Sequence, residues 1–523
     1  MTNWLPDLTE RSAPLYRGIA DALAEDVGAG RLPPGARLPT HRDLAFALGV
    51  TVGTVSRAYA EAERRGLIGG EVGRGTFVRA PAAASMPGPG ECAPELPAAA
   101  VPAGAIGGLA GPPADGLERI AEEGFGERLD LSLNYPYDAP IAAALRTAVQ
   151  RIDDAALLAT IGRYQPSNGM RAHREAGAAW LRRLGVGASA ENVLIVPGCQ
   201  GGLSTTFQAL CRPKDVVLHE ALTWPGLHAT ASAQGLHPVG VDIDDDGLIV
   251  EALDAACRTH HPRLLYTMPT LHNPTATVMS VARRQAVAEV AERHGVIILE
   301  DDVYGFLLDD PPPPIHRFAP NHGIYVTSLS KSVCPGLRIG YLLAPAALVP
   351  RLAHAVRTSM LMTSSIAAEV ASQTIVSGAA AVAADAQRAE ARARQRLAAE
   401  ILGGLGFRSH PAAFHGWLPL PPNWRGGDFV AALLDRGVAV SAGATFAGPT
   451  FTRQAGTSTY DLRAAGQRPA MADPARVDHA MTNADAHVRL CLCAVADRQR
   501  LASALRVVAD VARSSATNRM PIV

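Results

Sequence analysis

Lysine is nearly absent from this chain of 523 residues. Only two of its 48 basic residues are lysines, Lys214 and Lys331, and the rest are arginines. An arginine cannot replace a lysine as an amine nucleophile, because its guanidinium stays protonated at physiological pH. Any chemistry that needs a primary amine side chain is therefore restricted to two positions.

Three further absences exclude classes of protein. The formal net charge is −1, so no overall basic excess indicates nucleic acid, and any DNA contact must come from a local patch. The cysteines form no CxxC pair and no Cys/His cluster at metal spacing, which predicts a reduced, cytoplasmic protein without a metal site. No apolar run reaches about 18 residues, and the first residues lack the apolar segment of a signal peptide, so we expect no membrane association.

Composition divides the chain into three parts. Ala, Pro and Gly make up 27 of the 37 residues in 80–116, so this segment is a predicted linker. Residues 12–79 form a small module before it. Residues 117–523 are enough for one large α/β unit, with a large part at about 160–345 and a smaller α+β C-terminal subdomain at about 346–523.

Short, apolar, β-branched runs alternate with helical stretches after the linker. Near-continuous apolar strands separated by helices are typical of a buried, mainly parallel sheet in an α/β fold. Residues 345–405 are predicted to be helical, and 447–486 to form a long loop. The predicted strands are 193–196, 215–219, 263–268, 296–300, 324–330, 416–420, 438–442 and 487–494, and helices are predicted over 200–211, 225–235, 248–258 and 280–294.

The small module has the pattern of two short helices joined by a tight turn. Thr40 is a predicted N-cap for a helix that ends at Gly49, and Thr51 caps a second helix that runs to about Arg65. The segments LIGGEV and GTFV then predict two strands around a Gly-Arg-Gly tip. The module resembles the GntR-type winged helix-turn-helix, an α-helical fold with a small β-wing, which implies binding to double-stranded DNA.

Arginines give this module a local positive charge. Residues 37–79 contain seven arginines and four acidic residues. Many GntR-type proteins have a basic residue early in the recognition helix, where this chain has Val52-Gly53, so base contacts are expected elsewhere. The predicted DNA-binding residues are Arg42, Thr51, Thr54, Arg57 and Arg74.

A second interpretation of the arginines on the recognition helix stays open. Arg57, Arg64 and Arg65 could simply pair with Glu61 and Glu63 on a solvated helix surface.

Lys331 follows a predicted strand within the segment SLSKSVCPGLRIGY. The end of a strand would hold the amine rigidly, while nearby hydroxyls and Arg338 can bind a phosphate dianion. A partly desolvated lysine beside a cation has a lowered pKa and can form an imine. The segment resembles the lysine motif of fold-type-I aminotransferases, which implies pyridoxal 5'-phosphate as the cofactor. Lys214, in RPKDV, has no such surroundings.

Other segments resemble the same family in the same order along the chain. The resemblance implies that Asp301 holds the pyridine nitrogen of the cofactor protonated, with Asp302 as the alternative. It also implies that Tyr304 and Asn273 bind the ring hydroxyl. Trp224 would stack on the pyridine ring. The implied phosphate ligands are Cys199, Gln200, Ser328 and Arg338, with the first pair at a helix N-terminus.

Two more residues have roles that the resemblance implies. Tyr164 corresponds to a tyrosine that reaches the phosphate of the neighbouring subunit, which implies a dimer. Arg489 corresponds to the arginine that pairs with a substrate carboxylate. The catalytic residues implied are Lys331, Asp301 and Tyr304.

The whole chain resembles the MocR group of GntR-type regulators. This resemblance implies a DNA-binding transcriptional regulator and a head-to-tail homodimer. Its aminotransferase-like unit would sense pyridoxal 5'-phosphate or an amino compound through aldimine exchange at Lys331. The alternative is an active aminotransferase that transfers an amino group from an amino acid to a 2-oxo acid, because the catalytic residues are intact. The sequence leaves the effector and the operator open.

Overall fold

The computed structural model describes residues 4–6, 15–65, 67–71, 75–78, 129–152, 154–448 and 484–514. The chain forms two compact units, Met1–Leu109 and Ala110–Val523. The predicted linker over 80–116 lies outside the described residues.

The first unit contains three helices and a β-hairpin around its own apolar core. Its elements are α1 (Leu15–Gly28), α2 (His41–Leu48), α3 (Val52–Arg64), β1 (Ile68–Glu71) and β2 (Gly75–Val78). The two strands pair antiparallel. Ile19, Leu23, Leu44 and Val55 lie in the core of this unit. Leu15, in the first turn of α1, is 51% exposed.

Local capping residues set the bounds of the two motif helices. The Thr40 hydroxyl accepts a hydrogen bond from the Asp43 amide, and the Thr51 hydroxyl accepts one from the Thr54 amide. Gly49 ends α2 in the left-handed conformation at a φ of 67°, which glycine adopts at no steric cost. Both predicted N-caps are confirmed.

The second unit is an α/β domain with a seven-stranded sheet. Its strands are β3 (Leu129–Asp130), β4 (Val193–Val196), β5 (Val216–Glu220), β6 (His237–Val241), β7 (Ile243–Asp244), β8 (Gly247–Leu248), β9 (Leu264–Thr267), β10 (Ile297–Asp301), β11 (Gly323–Ser328), β12 (Gly340–Leu343), β13 (His415–Pro419), β14 (Val438–Ala439), β15 (Ser441–Ala442) and β16 (His487–Cys491). Its helices are α4 (Ala139–Val149), α5 (Ala155–Ile161), α6 (Arg171–Arg183), α7 (Gly198–Leu210), α8 (Pro225–Ala233), α9 (Val250–His260), α10 (Val281–His294), α11 (Val349–Met360), α12 (Ser365–Val376), α13 (Ala379–Leu402), α14 (Gly426–Leu434) and α15 (Arg498–Arg513). Short 3-10 turns lie at Ala190–Asn192, Gly305–Leu307, Ile315–Arg317, Pro335–Leu337, Gly403–Leu405, Gly443–Phe446 and Ala484–Ala486.

The large sheet is mainly parallel, as predicted. Its strand order is β4-β12-β11-β10-β9-β5-β6, and β12 alone runs antiparallel to its neighbours. Helices cover both faces, so successive residues of one strand enter two different cores. Leu264 of β9 packs in the cluster that includes Phe207 of α7, while Leu265 packs in the cluster that includes Val287 of α10.

Two strands of this sheet, β6 and β12, are not among the predicted strands. The strand β6, HPVGV, contains a proline and a glycine, and it is tolerated because it lies at the sheet edge. The strand β12 is inserted antiparallel between β4 and β11. A Cβ atom on Gly340 of β12 would lie 2.9 Å from both the Gly198 carbonyl carbon and the Thr327 oxygen, so no larger residue fits.

The C-terminal subdomain packs around a small antiparallel sheet, β13-β16-β15. Its core includes Leu418, Phe429, Leu490 and Leu505. The strand β3, from the beginning of the unit, pairs in parallel with β14. Leu129–Asp130 therefore belong with the C-terminal subdomain, although they precede the large sheet in the sequence.

Among the described helices, none alone is long and apolar enough to cross a membrane. Two consecutive helices reach the length and apolar composition of a membrane span only when they are taken together. They are Ser365–Val376 and Ala379–Leu405, with a bend of 77° between them.

Candidate functional site

Lys331 lies three residues after the end of β11, where the carboxyl ends of the parallel strands meet. The side chain is half-buried, and its Nζ donates a hydrogen bond to the main-chain oxygen of Asn134. Burial lowers the pKa of Lys331 to about 8, and the guanidinium groups of Arg489 and Arg338 contribute to this lowering. A substantial fraction of this amine is therefore neutral and nucleophilic near physiological pH. Lys214, in contrast, is exposed on a turn.

Two adjacent carboxyl groups follow one another at the end of β10, and they differ in their partners. The Asp301 Oδ2 accepts a hydrogen bond from the Tyr266 hydroxyl at 3.0 Å. The buried Asp301 Oδ1 has no hydrogen-bond partner of normal geometry among the described residues. In Asp302, Oδ2 accepts from the Tyr325 hydroxyl at 2.8 Å and Oδ1 accepts from the Gly305 amide at 2.6 Å. Only Asp301 therefore keeps an oxygen for a ligand.

Burial also controls the charge of Asp301. It raises the pKa of this carboxyl to about 6, although the hydroxyl of Tyr266 and the thiol of Cys199 act in the opposite direction. A cationic N–H group beside Oδ1 would return the carboxyl to its ionised form. Burial raises the pKa of both carboxyls, so it is the free oxygen that favours Asp301 over Asp302 as the group that faces a ligand nitrogen.

Tyr304 is buried beside Lys331 and has a partner that sequence reasoning missed. Its hydroxyl accepts a hydrogen bond from the Asn134 Nδ2 at 2.7 Å. The same Nδ2 lies 3.0 Å from the Nδ1 of His415 on β13. Asn134 precedes a Tyr-Pro pair in a loop, and His415 lies within a strand, so neither position carries a local signal of function.

Arg489 is held by protein acceptors from three separate segments. Its Nη1 donates to the Asn273 Oδ1 at 2.9 Å. Its Nη2 donates to the main-chain oxygen of Ser132 and to the Ser441 Oγ, the latter at 3.2 Å. The guanidinium carbon lies 4.7 Å from the ring centre of Phe446. The buried Nε has no partner among the described residues, so its N–H remains for a ligand carboxylate.

An anion cradle lies between the N-terminus of α7 and the turn after Lys331. Arg338, at a φ of 50°, directs its Nη2 to 3.4 Å from the Pro197 oxygen and its Nη1 to 3.5 Å from the Ser330 Oγ. Gly198 has a φ of 74°, and a Cβ there would lie 2.9 Å from the Arg338 Nη2. The glycine therefore lets the guanidinium approach the first amides of α7, which favour an anion.

The remaining predicted ligands of the phosphate lie along the same edge of the sheet. Ser328, at the end of β11, is buried. Cys199 is half-buried in the first turn of α7, and Gln200 next to it is exposed. Burial and the nearby Asp301 carboxyl raise the pKa of the Cys199 thiol, so it stays protonated.

Trp224, the residue predicted to stack on the pyridine ring, lies at the N-cap of α8. Its side chain is half-buried, and its indole lies over Gly226.

One predicted site residue does not join the others within the chain. Tyr164, in the loop that follows α5, is 83% exposed.

The predicted DNA contacts fall into three groups. Arg42 and Arg57 are exposed, and no ion pair to either is found among the described residues. Thr51 and Thr54 bond to each other at 2.9 Å within the N-cap of α3. Arg74, at the predicted wing tip, lies outside the described residues. The second interpretation, that arginines of the recognition helix form ion pairs on its surface, applies to Arg65. This arginine binds Asp21 at 2.5 Å and Glu61 at 2.8 Å.

Three features of the second unit fit pyridoxal 5'-phosphate. The amine of Lys331 suits an aldehyde, the cradle of Arg338 and the α7 amides suits a phosphate, and the unpartnered Asp301 oxygen suits a protonated pyridine nitrogen. These groups come from different strand ends of one sheet, which makes their mutual positions rigid.

Comparisons with known proteins agree with this geometry. The family Aminotransferase class I and II matches residues 127–465, and the family Bacterial regulatory proteins, gntR family, matches residues 15–78. The Uncharacterized HTH-type transcriptional regulator YdeF of Bacillus subtilis is 28% identical over 444 residues, which cover 85% of this chain and 89% of that protein. The HTH-type transcriptional regulator TauR of Rhodobacter capsulatus is 30% identical over 369 residues, which cover 66% of this chain and 71% of that protein.

A solved structure shares the fold of the second unit. The kynurenine aminotransferase of Pyrococcus horikoshii has a TM-score of 0.65 and 20% sequence identity, and the match covers 77% of this chain and 95% of the other.

Proposed function

Because this chain belongs to the aminotransferase class I and II family and joins that domain to a GntR-family module, we propose that it is a pyridoxal 5'-phosphate-dependent, DNA-binding transcriptional regulator. One observation carries the proposal: a helix-turn-helix unit and a second unit with Lys331, Asp301 and Arg489 around one site lie in the same chain. A DNA-binding module adds no step to amino transfer, which favours a regulator. The DNA target implies a cytoplasmic location.

Different residues of this chain would each bind a different part of the cofactor. When bound, pyridoxal 5'-phosphate supplies an aldehyde and an electron-withdrawing ring. The Lys331 amine would attach to it, with Arg338 and the α7 amides on its phosphate. Asp301 would keep the ring nitrogen protonated, and Tyr304 and Asn273 would bind the ring oxygen.

The effector that fits this site is an amino compound, and the buried Arg489 favours one with a carboxylate. Such a compound would compete with Lys331 for the cofactor. It can change DNA binding only if it binds two arrangements of the protein with different affinities. The cofactor itself is the other candidate effector.

The intact site also favours a second candidate function, an active aminotransferase. Lys331, Asp301, Tyr304 and Arg489 lie together with the contacts described above. A gel shift on the gene's own upstream DNA, beside a half-transamination assay with a panel of amino acids, separates the two functions. Fast multiple turnover without a specific shift would favour the enzyme.

We propose that the regulator acts as a head-to-tail homodimer. Tyr164 is 83% exposed in the single chain, which supports a role in the site of a partner. Large apolar side chains are also exposed on this unit, at Leu158, Leu361, Ile366, Val376 and Val382. Analytical ultracentrifugation tests the dimer, and a monomeric species at micromolar concentration would contradict it.

Asp301→Asn should retain the cofactor but slow its reaction with amino acids by about 100-fold or more. A neutral amide cannot hold the pyridine nitrogen protonated, and loss of one charge-stabilising group typically costs a factor of this size. Stopped-flow absorbance measures the half-reaction, and retention of the cofactor on gel filtration measures binding.

Asp302→Asn is the matched control for that variant. Both oxygens of Asp302 accept hydrogen bonds within the protein, so this substitution should lower stability by about 1–3 kcal/mol and leave the half-reaction nearly unchanged. If Asp302→Asn slows the reaction and Asp301→Asn does not, the roles of the two residues are reversed.

Arg42→Ala should weaken DNA binding and reduce its salt dependence. Arg42 is exposed at the first turn of α2, and each phosphate contact adds about 0.9 to the slope of log affinity against log salt. Arg65→Ala removes the same charge from a residue already paired with Asp21 and Glu61, so its slope should match the wild type. Fluorescence anisotropy over a salt series gives both slopes, and an unchanged slope for Arg42→Ala would assign the contacts to other residues.

A further inference from the structure

The side chain of Asn134 connects two buried rings in the site of the second unit. Its Nδ2 lies 2.7 Å from the Tyr304 hydroxyl oxygen and 3.0 Å from the His415 Nδ1. Both rings are buried, and their centres lie 5.5 Å apart. The amide therefore links the C-terminal subdomain, through His415, to Tyr304, which would bind the ring oxygen of the cofactor.

The other nitrogen of His415 determines which tautomer this ring adopts. Its Nε2 lies 2.9 Å from the main-chain oxygen of His272, which can only accept a hydrogen bond. The proton of the neutral ring must therefore lie on Nε2, and Nδ1 must accept. The ring stays neutral because burial and the positive charge of Arg489 lower the pKa of His415 to about 3, although the hydrogen bond to the His272 oxygen acts in the opposite direction.

The tautomer of His415 in turn fixes the orientation of the Asn134 amide. An Nδ1 that accepts must face the amide nitrogen and not the amide oxygen. This nitrogen has two protons, and the second points to the Tyr304 hydroxyl. The buried Asn134 Oδ1 is left without a partner among the described residues, which is the cost of this orientation.

We propose that Asn134 and His415 are positioning residues that turn the hydroxyl proton of Tyr304 toward the cofactor. Because the Tyr304 oxygen accepts from Asn134, its own proton points away from the amide and toward the site. There it can donate to the ring oxygen of the cofactor, a role of Tyr304 that rests on the proposed function. A hydrogen bond to that oxygen favours its ionised form and so lowers the pH at which the bound cofactor changes its absorbance.

The substitution Asn134→Asp tests this arrangement in the full-length protein reconstituted with pyridoxal 5'-phosphate. A carboxylate can only accept, so it takes the Tyr304 proton for itself. The pH midpoint of the visible absorbance band should rise by about one to two units, the size of one hydrogen bond to a charged group. Asn423→Asp, the same change at an exposed position, should leave the midpoint unchanged.

A double variant separates positioning from a simple effect of added charge. Tyr304→Phe should raise the midpoint by a similar amount, and Asn134→Asp in that background should add little, because the hydroxyl proton is already gone. An equal shift in both backgrounds would mean that Asn134→Asp acts by charge alone, and the inference would be wrong.

The nitrogen chemical shifts of His415 give a readout that needs no cofactor. In the protein without added cofactor at pH 6, wild-type His415 should carry one proton, on Nε2. In Asn134→Asp the ring should become protonated on both nitrogens, because a carboxylate now faces Nδ1. A wild-type proton on Nδ1 would overturn the inference, whereas a wild-type protein that never acquires the visible band would contradict the proposed function instead.

Discussion

The variant Lys331→Ala is expected to lose the visible absorbance band of the bound cofactor completely while it keeps its fold. The chain has one other lysine, and an arginine cannot act as the amine. The Lys331 side chain is half-buried after the carboxyl end of β11 and is not part of the apolar cores, so its truncation leaves those cores intact. Absorbance after gel filtration in the presence of pyridoxal 5'-phosphate measures the band, and thermal unfolding measures the fold.

Lys214→Ala provides the matched control for this variant. Lys214 is exposed on a turn away from the strand ends that form the site, so its loss should change neither the band nor the melting temperature. A full band in Lys331→Ala would contradict the assignment of the whole site, because the remaining contacts were interpreted around this amine.

Cleavage within 80–116 is expected to abolish the effect of cofactor and effector on DNA binding. Each unit has its own apolar core, so both parts should stay folded and the second should keep its cofactor band. DNA affinity should fall by about 10²–10⁴-fold, because the two DNA-binding modules of a dimer are no longer connected and each must bind DNA independently. An effector can change DNA binding only if effector and DNA both favour particular arrangements of the two units. Once the units are separated, no such shared arrangement exists.

A specific protease site inserted into the linker makes this measurement direct. The same protein before cleavage is the control, and gel shifts with and without effector give the coupling. Retained effector dependence after cleavage would mean that contacts between the units, and not the tether, transmit the signal. If the intact chain shows no dependence on cofactor or effector at all, the aminotransferase becomes the better proposal.

Residues close together in the sequence were predictable because their signals are local. Thr40 and Thr51 cap helices through contacts three residues away, and Gly49 ends a helix through its own backbone. The strand Val193–Val196 was predicted with its observed bounds, because a strand buried on both faces is a continuous apolar run. The same reasoning identified Lys331, since its only competitor lies in a polar turn.

Residues brought together from distant segments were not predictable in this way. Asn134 and His415 are 281 positions apart, and their hydrogen bond depends on how β13 packs against the loop after β3. The strand β12 is itself a short apolar run, GYLL, but its antiparallel insertion beside the distant strand β4 depends on tertiary packing.

The sequence by itself therefore determined the two families of module and the cap residues, and it restricted the primary amine to two lysines, because each of these depends on neighbouring residues or on composition. Only the tertiary structure distinguishes Asp301 from Asp302, because Tyr325 and the Gly305 amide occupy the oxygens of Asp302. It alone also set the orientation of the Asn134 amide, because that orientation follows from the hydrogen bond between His415 and the His272 oxygen. Hydrogen bonds between distant segments form only when the sheets and helices that carry them have packed.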